Sequence, residues 1–367
     1  MRLLCGFLIG ICLFMAQTNV WAELRIIPPP TDSSGSPADD WPWMAAIIYT
    51  NRSSVENGQF CGATLVHPSW VLTAAHCTAG ETIDSIEVVL GRYTLSDEES
   101  GEIIGLKQII RHPDYDYHPD NPLADLALLE LEKSSSQPVL KVAETYSTIT
   151  QVDELATVMG WGRTDAKRRD SYSDILRQTN IPIVSNEICN QSYDNDVQDT
   201  MLCAGYKEGG TDACVGDSGG PLIMISETGP QQIGIVSWGE GCAEPHNYGV
   251  YTRMSSYQNF VTEQVCETGD IPTPHTLEVK TDDTNATVSW KTAKGVDGYQ
   301  FYWAPYSNPI SNVTFNHINS LDLGDDIYLT ISLEALKELQ QNLYVAVRAY
   351  QGNCYSDYSN LGTFFIE

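Results

Sequence analysis

The sequence has few basic residues, with 20 Lys and Arg against 48 Asp and Glu and a formal net charge of −28 over 367 residues. Non-specific nucleic-acid binding needs clusters of Lys and Arg that contact phosphates, and anionic membrane surfaces attract basic segments in the same way. The shortage of basic residues therefore excludes a general nucleic-acid binder and argues against membrane docking. Hydrophobic residues still make up 42% of the chain, so a packed core is expected and global disorder is not.

Beyond its first 22 residues the sequence lacks any long apolar run. The apolar run from Leu3 to Ala16 follows Arg2 and precedes the small-residue pattern Val20-Trp21-Ala22, an order typical of a secretory signal. The run is too short to span a bilayer comfortably, although an uncleaved N-terminal anchor is the alternative. We interpret residues 1–22 as a signal peptide and expect a secreted, extracellular protein, with periplasmic transit if the source is bacterial.

No CxxC pair is present, so the sequence lacks the usual spacing of a structural zinc site, and no metal site is predicted. Signal cleavage removes Cys5 and Cys12 and leaves an even number of cysteines, which in an exported chain indicates a disulfide framework. The remaining cysteines are Cys61, Cys77, Cys189, Cys203, Cys214, Cys242, Cys266 and Cys354.

Long helical periodicity is nearly absent. Residues 43–260 alternate short strand-like segments with Gly, Pro and polar turns, which predicts an all-β antiparallel architecture. A polar, proline-punctuated linker spans residues 267–275. Beyond it, alternating segments such as Thr287–Trp290 and Leu343–Tyr350 predict a second β unit over residues 272–367.

Three short motifs carry a base, an acid and a nucleophile. They are Leu72-Thr-Ala-Ala-His-Cys77, Asp125-Leu-Ala-Leu-Leu129 and Gly216-Asp-Ser-Gly-Gly-Pro221. A serine hydroxyl is a poor nucleophile until a neighbouring base removes its proton, and imidazole titrates in the range that suits such a base. In this order and with these flanks, the motifs make residues 26–266 resemble the trypsin/chymotrypsin family of serine endopeptidases.

The resemblance implies two six-stranded antiparallel β-barrels and a Ser-His-Asp mechanism. His76 is then the general base, Asp125 orients it, and Ser218 attacks the scissile carbonyl. The backbone N–H groups of Gly216 and Ser218 form the oxyanion hole, and Ser237 donates a hydrogen bond to Asp125.

The resemblance also implies the specificity. Asp212, six residues before the serine, lies at the base of the primary pocket and selects substrates with Arg or Lys at the cleavage site. A solvated surface aspartate is the alternative. Ala213 stands where trypsin has a serine whose hydroxyl helps to solvate lysine, so we expect Arg to be preferred over Lys. The substrate-binding set is Asp212, Ala213, Ser237, Trp238, Gly239 and Gly249.

Members of this family are usually made as zymogens. Cleavage after Arg25 would remove a short propeptide, residues 23–25, and the new amine of Ile26 would pair with Asp217. Pro28-Pro29-Pro30 stand near the place where the family has glycines, a departure that proline's fixed φ and missing N–H make consequential. The basic loop after Gly162 is a candidate self-cleavage site, with a solvated loop as the alternative; its basic residues are Arg163, Lys167, Arg168 and Arg169.

The resemblance further implies three disulfides, Cys61–Cys77, Cys189–Cys203 and Cys214–Cys242. No cofactor is expected to be required. Calcium is not expected, because Arg92 occupies an acidic ligand position of the family's calcium loop, where we expect an Arg92–Glu102 ion pair. Tyr248 indicates at most a weak sodium effect.

Residues 272–367 resemble a fibronectin type III module, a β-sandwich, on Trp290, the strand Tyr299–Trp303 and the segment Leu343–Tyr350. In that fold Cys354 lies at the pole of the N-terminus, so we expect a Cys266–Cys354 disulfide. The helical-looking segment Ile331–Leu339 is interpreted as a loop. Tyr302, Trp303, Tyr306, Tyr355 and Tyr358 are candidates for a binding patch, with core packing favoured.

Together these features predict a secreted, monomeric, trypsin-like serine endopeptidase acting on protein or peptide substrates, which proteinaceous serine protease inhibitors would also recognise. One alternative is a processing protease dedicated to a few secreted partners, and the other is a non-catalytic binding protein on a protease scaffold. Asparagines 51, 190, 285 and 312 begin glycosylation sequons, which matter only in a eukaryotic host.

Overall fold

The regular secondary structure of the computed structural model is mostly strand, with four α-helices and one 3-10 turn in its described part. The proposed signal peptide, Arg25 and Ile26 lie outside that part, as do Tyr306 and Asn312. No helix among the described residues is long and apolar enough to cross a membrane. The structure describes residues 36–37, 41–116, 122–143, 150–226, 229–266, 271–305, 320–338 and 342–364.

The protease-like part contains fifteen strands in the described residues. In chain order they are β1 (Ser36–Pro37), β2 (Met44–Tyr49), β3 (Gln59–His67), β4 (Trp70–Thr73), β5 (Ile86–Leu90), β6 (Glu102–Ile104), β7 (Leu106–Arg111), β8 (Ala127–Leu131), β9 (Lys141–Val142), β10 (Leu155–Gly160), β11 (Arg177–Val184), β12 (Met201–Ala204), β13 (Pro221–Ser226), β14 (Gly229–Trp238) and β15 (Gly249–Arg253). The helices here are α1 (Val55–Gly58), α2 (Asn186–Cys189) and α3 (Met254–Val265), and a 3-10 turn covers Ala75–Thr78.

The second barrel closes as predicted. Its six antiparallel strands run in the order β11-β10-β13-β14-β15-β12, and β12 pairs back onto β11. β1 and β9 extend this sheet at its margins by pairing with β11 and β14. The strand β14 runs from this margin to Ser237 and Trp238, so the barrel wall leads directly to predicted site residues.

The first barrel differs from the prediction. Its seven strands pair in the order β6-β5-β2-β3-β4-β8-β7, and within the described residues no ladder joins the two ends of this sheet. The end strands β6 and β7 are consecutive in the chain and separated only by Gly105. The chain itself therefore links the two edges of a half-barrel, so the prediction of two six-stranded barrels is confirmed for the second barrel and in part for the first.

The C-terminal unit consists of two antiparallel sheets. β16, β17 and β20 form one, and β18, β19, β21, β22 and β23 form the other. Trp290 and Phe301, one from each side, belong to the same buried apolar cluster. The fibronectin type III assignment remains a prediction. The strands are β16 (Glu278–Thr281), β17 (Asn285–Ser289), β18 (Gly298–Pro305), β19 (Ser320–Asp322), β20 (Tyr328–Ser332), β21 (Leu343–Gln351), β22 (Cys354–Tyr355) and β23 (Gly362–Phe364).

One element of this unit corrects the sequence interpretation. The segment predicted as a loop, Ile331–Leu339, contains a helix, α4 (Leu333–Glu338). Leu336 is buried and Leu333 packs against the same apolar cluster. Their spacing of three residues places both on one helix face, which is why the segment looks helical in sequence.

The C-terminal unit is attached to the protease part through the turn between β21 and β22. Asn353, buried in this turn, accepts a hydrogen bond from Val142 N (2.6 Å) and donates to Val66 O (2.7 Å) and Leu140 O (2.9 Å). The next residue, Cys354, forms the predicted disulfide with Cys266, just after α3. The two parts are therefore joined by buried polar contacts as well as by a covalent bond.

Candidate active site

The predicted base and acid are in direct contact. The 3-10 turn presents His76, and its Nδ1 lies 2.7 Å from Asp125 Oδ2, while its backbone N–H donates to Asp125 Oδ1 (2.9 Å). Asp125 is buried and also accepts a hydrogen bond from Ser237 Oγ (2.6 Å). Because a carboxylate only accepts, the proton of neutral His76 sits on Nδ1, which leaves Nε2 free to accept a proton.

Ser218 faces the same space as His76. Both line a cleft of about 480 Å³ between the two barrels. No hydrogen bond joins Ser218 Oγ to His76 Nε2 among the described residues, so the pair is looser here than proton transfer requires; substrate-free sites often show such geometry. The serine backbone is held from the first barrel, because Gly62 N donates to Ser218 O (2.7 Å).

The loop before Ser218 needs glycine at position 216. Gly216 has φ of +101°, and a Cβ there would lie 2.8 Å from Tyr172 Cε1. Both the positive φ and the close ring exclude other residues without strain. Cys214 precedes Gly216 in the same loop and is bonded to Cys242, so the disulfide joins two walls of the cleft.

Asp212 lines the same cleft as Ser218. Its Oδ1 accepts from Ala213 N (2.8 Å) and its Oδ2 from Ala243 N (3.3 Å). Gly249 forms the adjacent wall, where a Cβ would lie 2.9 Å from Asp212 Oδ1. Trp238, Gly239 and Gly249 line the cleft together with Asp212 and Ala213, so the structure brings the predicted substrate-binding set into one space.

The pKa values of two neighbouring carboxyls, Asp212 and Asp217, are raised. Burial raises the pKa of Asp212 to about 7, against the partly opposing hydrogen bonds from Ala243 and Ala213, and the charge of Asp217 raises it further. Burial also raises the pKa of Asp217 to about 6, opposed by hydrogen bonds from Cys214 N (2.9 Å) and Gly162 N (2.8 Å). No basic side chain forms an ion pair with either carboxyl within the described ranges.

The sequence analysis missed two site residues. Tyr251 lines the cleft, and its buried Oη has no hydrogen-bond partner among the residues that the structure describes. Since side chains alternate along a strand, its position two residues after Gly249 in β15 was a readable signal. Gln59 is also buried and donates from Nε2 to Gly216 O (2.7 Å). The two residues are 157 positions apart in the sequence, so no local pattern indicates their contact.

The disulfides form the four pairs that the sequence analysis expects, namely Cys61–Cys77, Cys189–Cys203, Cys214–Cys242 and Cys266–Cys354. In the described part, the one group with the spacing of metal ligands is Cys61, His76 and Cys77. Both sulfurs are bonded to each other, so this group offers no thiolate to a metal ion.

The expected Arg92–Glu102 ion pair is wrong. Arg92 is buried and donates to two backbone carbonyls, Ser100 O (2.8 Å) and Leu95 O (2.9 Å). Glu102 instead contacts Ser135 and lies 3.8 Å from Lys133. The guanidinium of Arg92 bonds carbonyls of its own loop instead of the carboxylate of Glu102. Every residue has a carbonyl, so the residue types do not indicate which carbonyls lie near the guanidinium.

Comparison with known proteins gives a consistent picture. Residues 32–261 match the family described as Trypsin. The chain is 38% identical to Trypsin-1 of Salmo salar over 221 residues, covering 59% of this chain and 86% of the relative. It is 35% identical to Trypsin of Saccharopolyspora erythraea over 226 residues (62% and 93%). It is 34% identical to Vitamin K-dependent protein C of Mus musculus over 261 residues (69% and 55%).

Proposed function

Since this chain belongs to the trypsin family of serine proteases, we propose that it is a secreted endopeptidase that cleaves peptide bonds after arginine. One observation carries this proposal: the cleft that contains His76 and Ser218 is also lined by Asp212, whose carboxyl is buried. A nucleophile, a base and a cation-binding carboxyl are thus placed in one space of suitable size for an extended basic side chain.

The contacts of the site give each group a role in acyl transfer. His76 takes the proton of Ser218 and later returns it to the leaving amine, while Asp125 stabilises the imidazolium. Ser237 and the His76 backbone hold Asp125 in place. The N–H groups of Gly216 and Ser218 stabilise the oxyanion, and each such donor is worth about 3 kcal/mol.

Specificity follows from the pocket floor. Asp212 keeps its two backbone hydrogen bonds and has no cationic partner in the described residues, so a substrate cation would complete it. Ala213 supplies no hydroxyl to solvate a lysine ammonium, whereas the planar guanidinium of arginine reaches the carboxylate with two parallel donors. Arginine is therefore the preferred residue.

The test compares two chromogenic peptides that differ only in Arg or Lys before the scissile bond. We expect kcat/KM to be about tenfold higher for Arg, a difference of about 1.4 kcal/mol. Ala213→Ser is the matched variant and should raise the rate for Lys selectively. Ser218→Ala should abolish hydrolysis of both. Equal rates for the two peptides would refute the preference, and absence of hydrolysis by the processed wild-type protein would refute the function.

Activation by cleavage after Arg25 is part of the proposal. Asp217 lines a small cavity with Arg177 and Gln178, the residues that pair with β1 at Ser36–Pro37. The eleven residues from Ile26 to Ser36 are joined by ten Cα–Cα steps, which span at most about 36 Å when extended, ample to bring the new amine to Asp217. N-terminal sequencing of the active enzyme should begin at Ile26; a start at Glu23 with full activity would refute this route.

The remaining proposals concern the periphery of the site. Residues 272–367 act as a fibronectin type III-like accessory module, and the exposed basic loop around Arg168 is a site of self-cleavage. Calcium is not required, because the Arg92 guanidinium already supplies a cation to the carbonyls of its loop. Any effect of sodium at Tyr248 is weak.

A further inference from the structure

Residues 215–218 carry the two proposed oxyanion donors and are called the oxyanion loop. This loop is held by its peptide carbonyls. In a trans peptide the C=O and N–H groups point in opposite directions, so a bond to the carbonyl also sets the direction of the N–H. Val215 O accepts from Arg163 N (3.0 Å), which sets the Gly216 N–H, and Asp217 O accepts from Gly220 N (2.9 Å), which sets the Ser218 N–H. Both of these anchors are backbone groups.

The middle peptide of this loop is anchored differently. Its N–H, on Asp217, donates to Cys214 O (2.9 Å), and its carbonyl, on Gly216, accepts from Gln59 Nε2 (2.7 Å). Of the three peptides that carry or join the oxyanion donors, this is the one whose carbonyl is held by a side chain. The anchor comes from β3, in the other barrel.

This peptide follows a residue with unusual backbone freedom. Gly216 has a positive φ and no side chain to restrict its rotation. Gln59 is buried at the start of β3, so rotation of the peptide would leave its amide donor without a partner away from water. A buried donor without a partner is costly, and the amide therefore favours the one orientation of the Gly216 peptide that it can bond.

We propose that Gln59 is a positioning residue for the oxyanion hole. It holds the Gly216–Asp217 peptide, which joins the two peptides whose N–H groups, on Gly216 and Ser218, receive the negative charge. This inference rests on the proposed endopeptidase function. Gln59 does not line the cleft, so it does not contact the substrate, and its effect should appear in the transition state rather than in ground-state binding.

The experiment measures the Gln59→Met variant, which keeps the chain length and removes the donor. We expect kcat to fall about tenfold, with KM changed less than twofold. Affinity for a peptidyl-arginine aldehyde, whose adduct places an oxyanion in the hole, should fall by a similar factor. Affinity for benzamidine, which needs only the Asp212 pocket, should not change.

Gln59→His is the matched rescue variant, because its Nε2–H lies at nearly the same distance from Cα and donates equally well. It should restore kcat to within about threefold of wild type. Unchanged kcat in Gln59→Met would overturn the inference. So would an equal loss of benzamidine and aldehyde affinity, since that reports general disturbance of the pocket. Failure of the proposed function itself is separate: the processed wild-type protein would then neither hydrolyse arginine peptides nor bind benzamidine.

Discussion

The ionisation of Asp217 should make the uncleaved protein lose stability as the pH rises. Its carboxyl has a pKa of about 6, raised from 3.8 by burial, so the folded chain binds the proton more tightly than the unfolded chain does. The contribution of Asp217 to stability is therefore greatest below about pH 4 and is lost as the pH rises through about 6. The difference between the two pKa values corresponds to about 3 kcal/mol of unfolding free energy.

Cleavage after Arg25 should remove this loss. The amine of Ile26 then pairs with the ionised Asp217, and the compensated carboxylate no longer favours its protonated form. Uncleaved and cleaved protein are best compared in a Ser218→Ala background, which prevents self-digestion. One protein carries Arg25→Gln and stays uncleaved; the other is cut after Arg25 by a second protease and checked for an N-terminal Ile26.

Urea unfolding of both proteins, followed by tryptophan fluorescence between pH 4 and pH 8, gives the two stability curves. Asp212 is present in both, so the difference between the curves chiefly reports Asp217. We expect this difference to grow by about 3 kcal/mol from pH 4 to pH 7 in favour of the cleaved protein. Parallel curves would refute the assignment of Asp217 as the partner of the new N-terminus.

Two further predictions concern Asp212 and the C-terminal unit. Benzamidine affinity of the processed enzyme should decrease as the pH falls, because protonation of Asp212, whose pKa burial raises to about 7 before processing, removes the charge that pairs with the amidinium. Titration calorimetry tests this, with Asp212→Asn as the variant whose weak binding should not depend on pH. Asn353→Ala should lower the free energy of unfolding by about 3 kcal/mol, at about 1 kcal/mol for each of its three hydrogen bonds. Asn360→Ala, which breaks two comparable bonds to Leu277 inside the C-terminal unit, should cost less in the same urea titration.

The site was largely predictable because its chemistry lies in short motifs. His76, Asp125 and Ser218 each carry flanking residues that mark their roles, and Asp212 is read by counting back from the serine. The antiparallel β architecture likewise follows from short strands and turns, whereas the barrels were implied by the family resemblance. A helix such as α4 was misjudged because its apolar spacing was outweighed by the strand pattern around it.

The anchoring side chains were not predictable, for a physical reason. Gln59 acts on a carbonyl 157 residues away, and Asn353 accepts from an N–H 211 residues away. Their partners are backbone groups, which every residue possesses, so no residue type at the far end marks the contact. The predicted Arg92–Glu102 ion pair was wrong for the same reason, since Arg92 donates to two carbonyls of its loop rather than to the carboxylate of Glu102.

The raised pKa values of Asp212 and Asp217 also connect the proposed activation to the proposed specificity. The charge of Asp217 contributes to the raised pKa of Asp212, so an unpaired Asp217 disfavours the ionised form of Asp212 that binds arginine. Pairing of Asp217 with a new amine cancels that repulsion and lowers the pKa of Asp212. The same event that stabilises the folded enzyme at neutral pH thereby increases the negative charge at the pocket floor. Substrate arginine, in turn, favours ionised Asp212. Binding of a cation at one carboxyl therefore favours binding of a cation at the other, because the charge of each carboxylate disfavours ionisation of its neighbour.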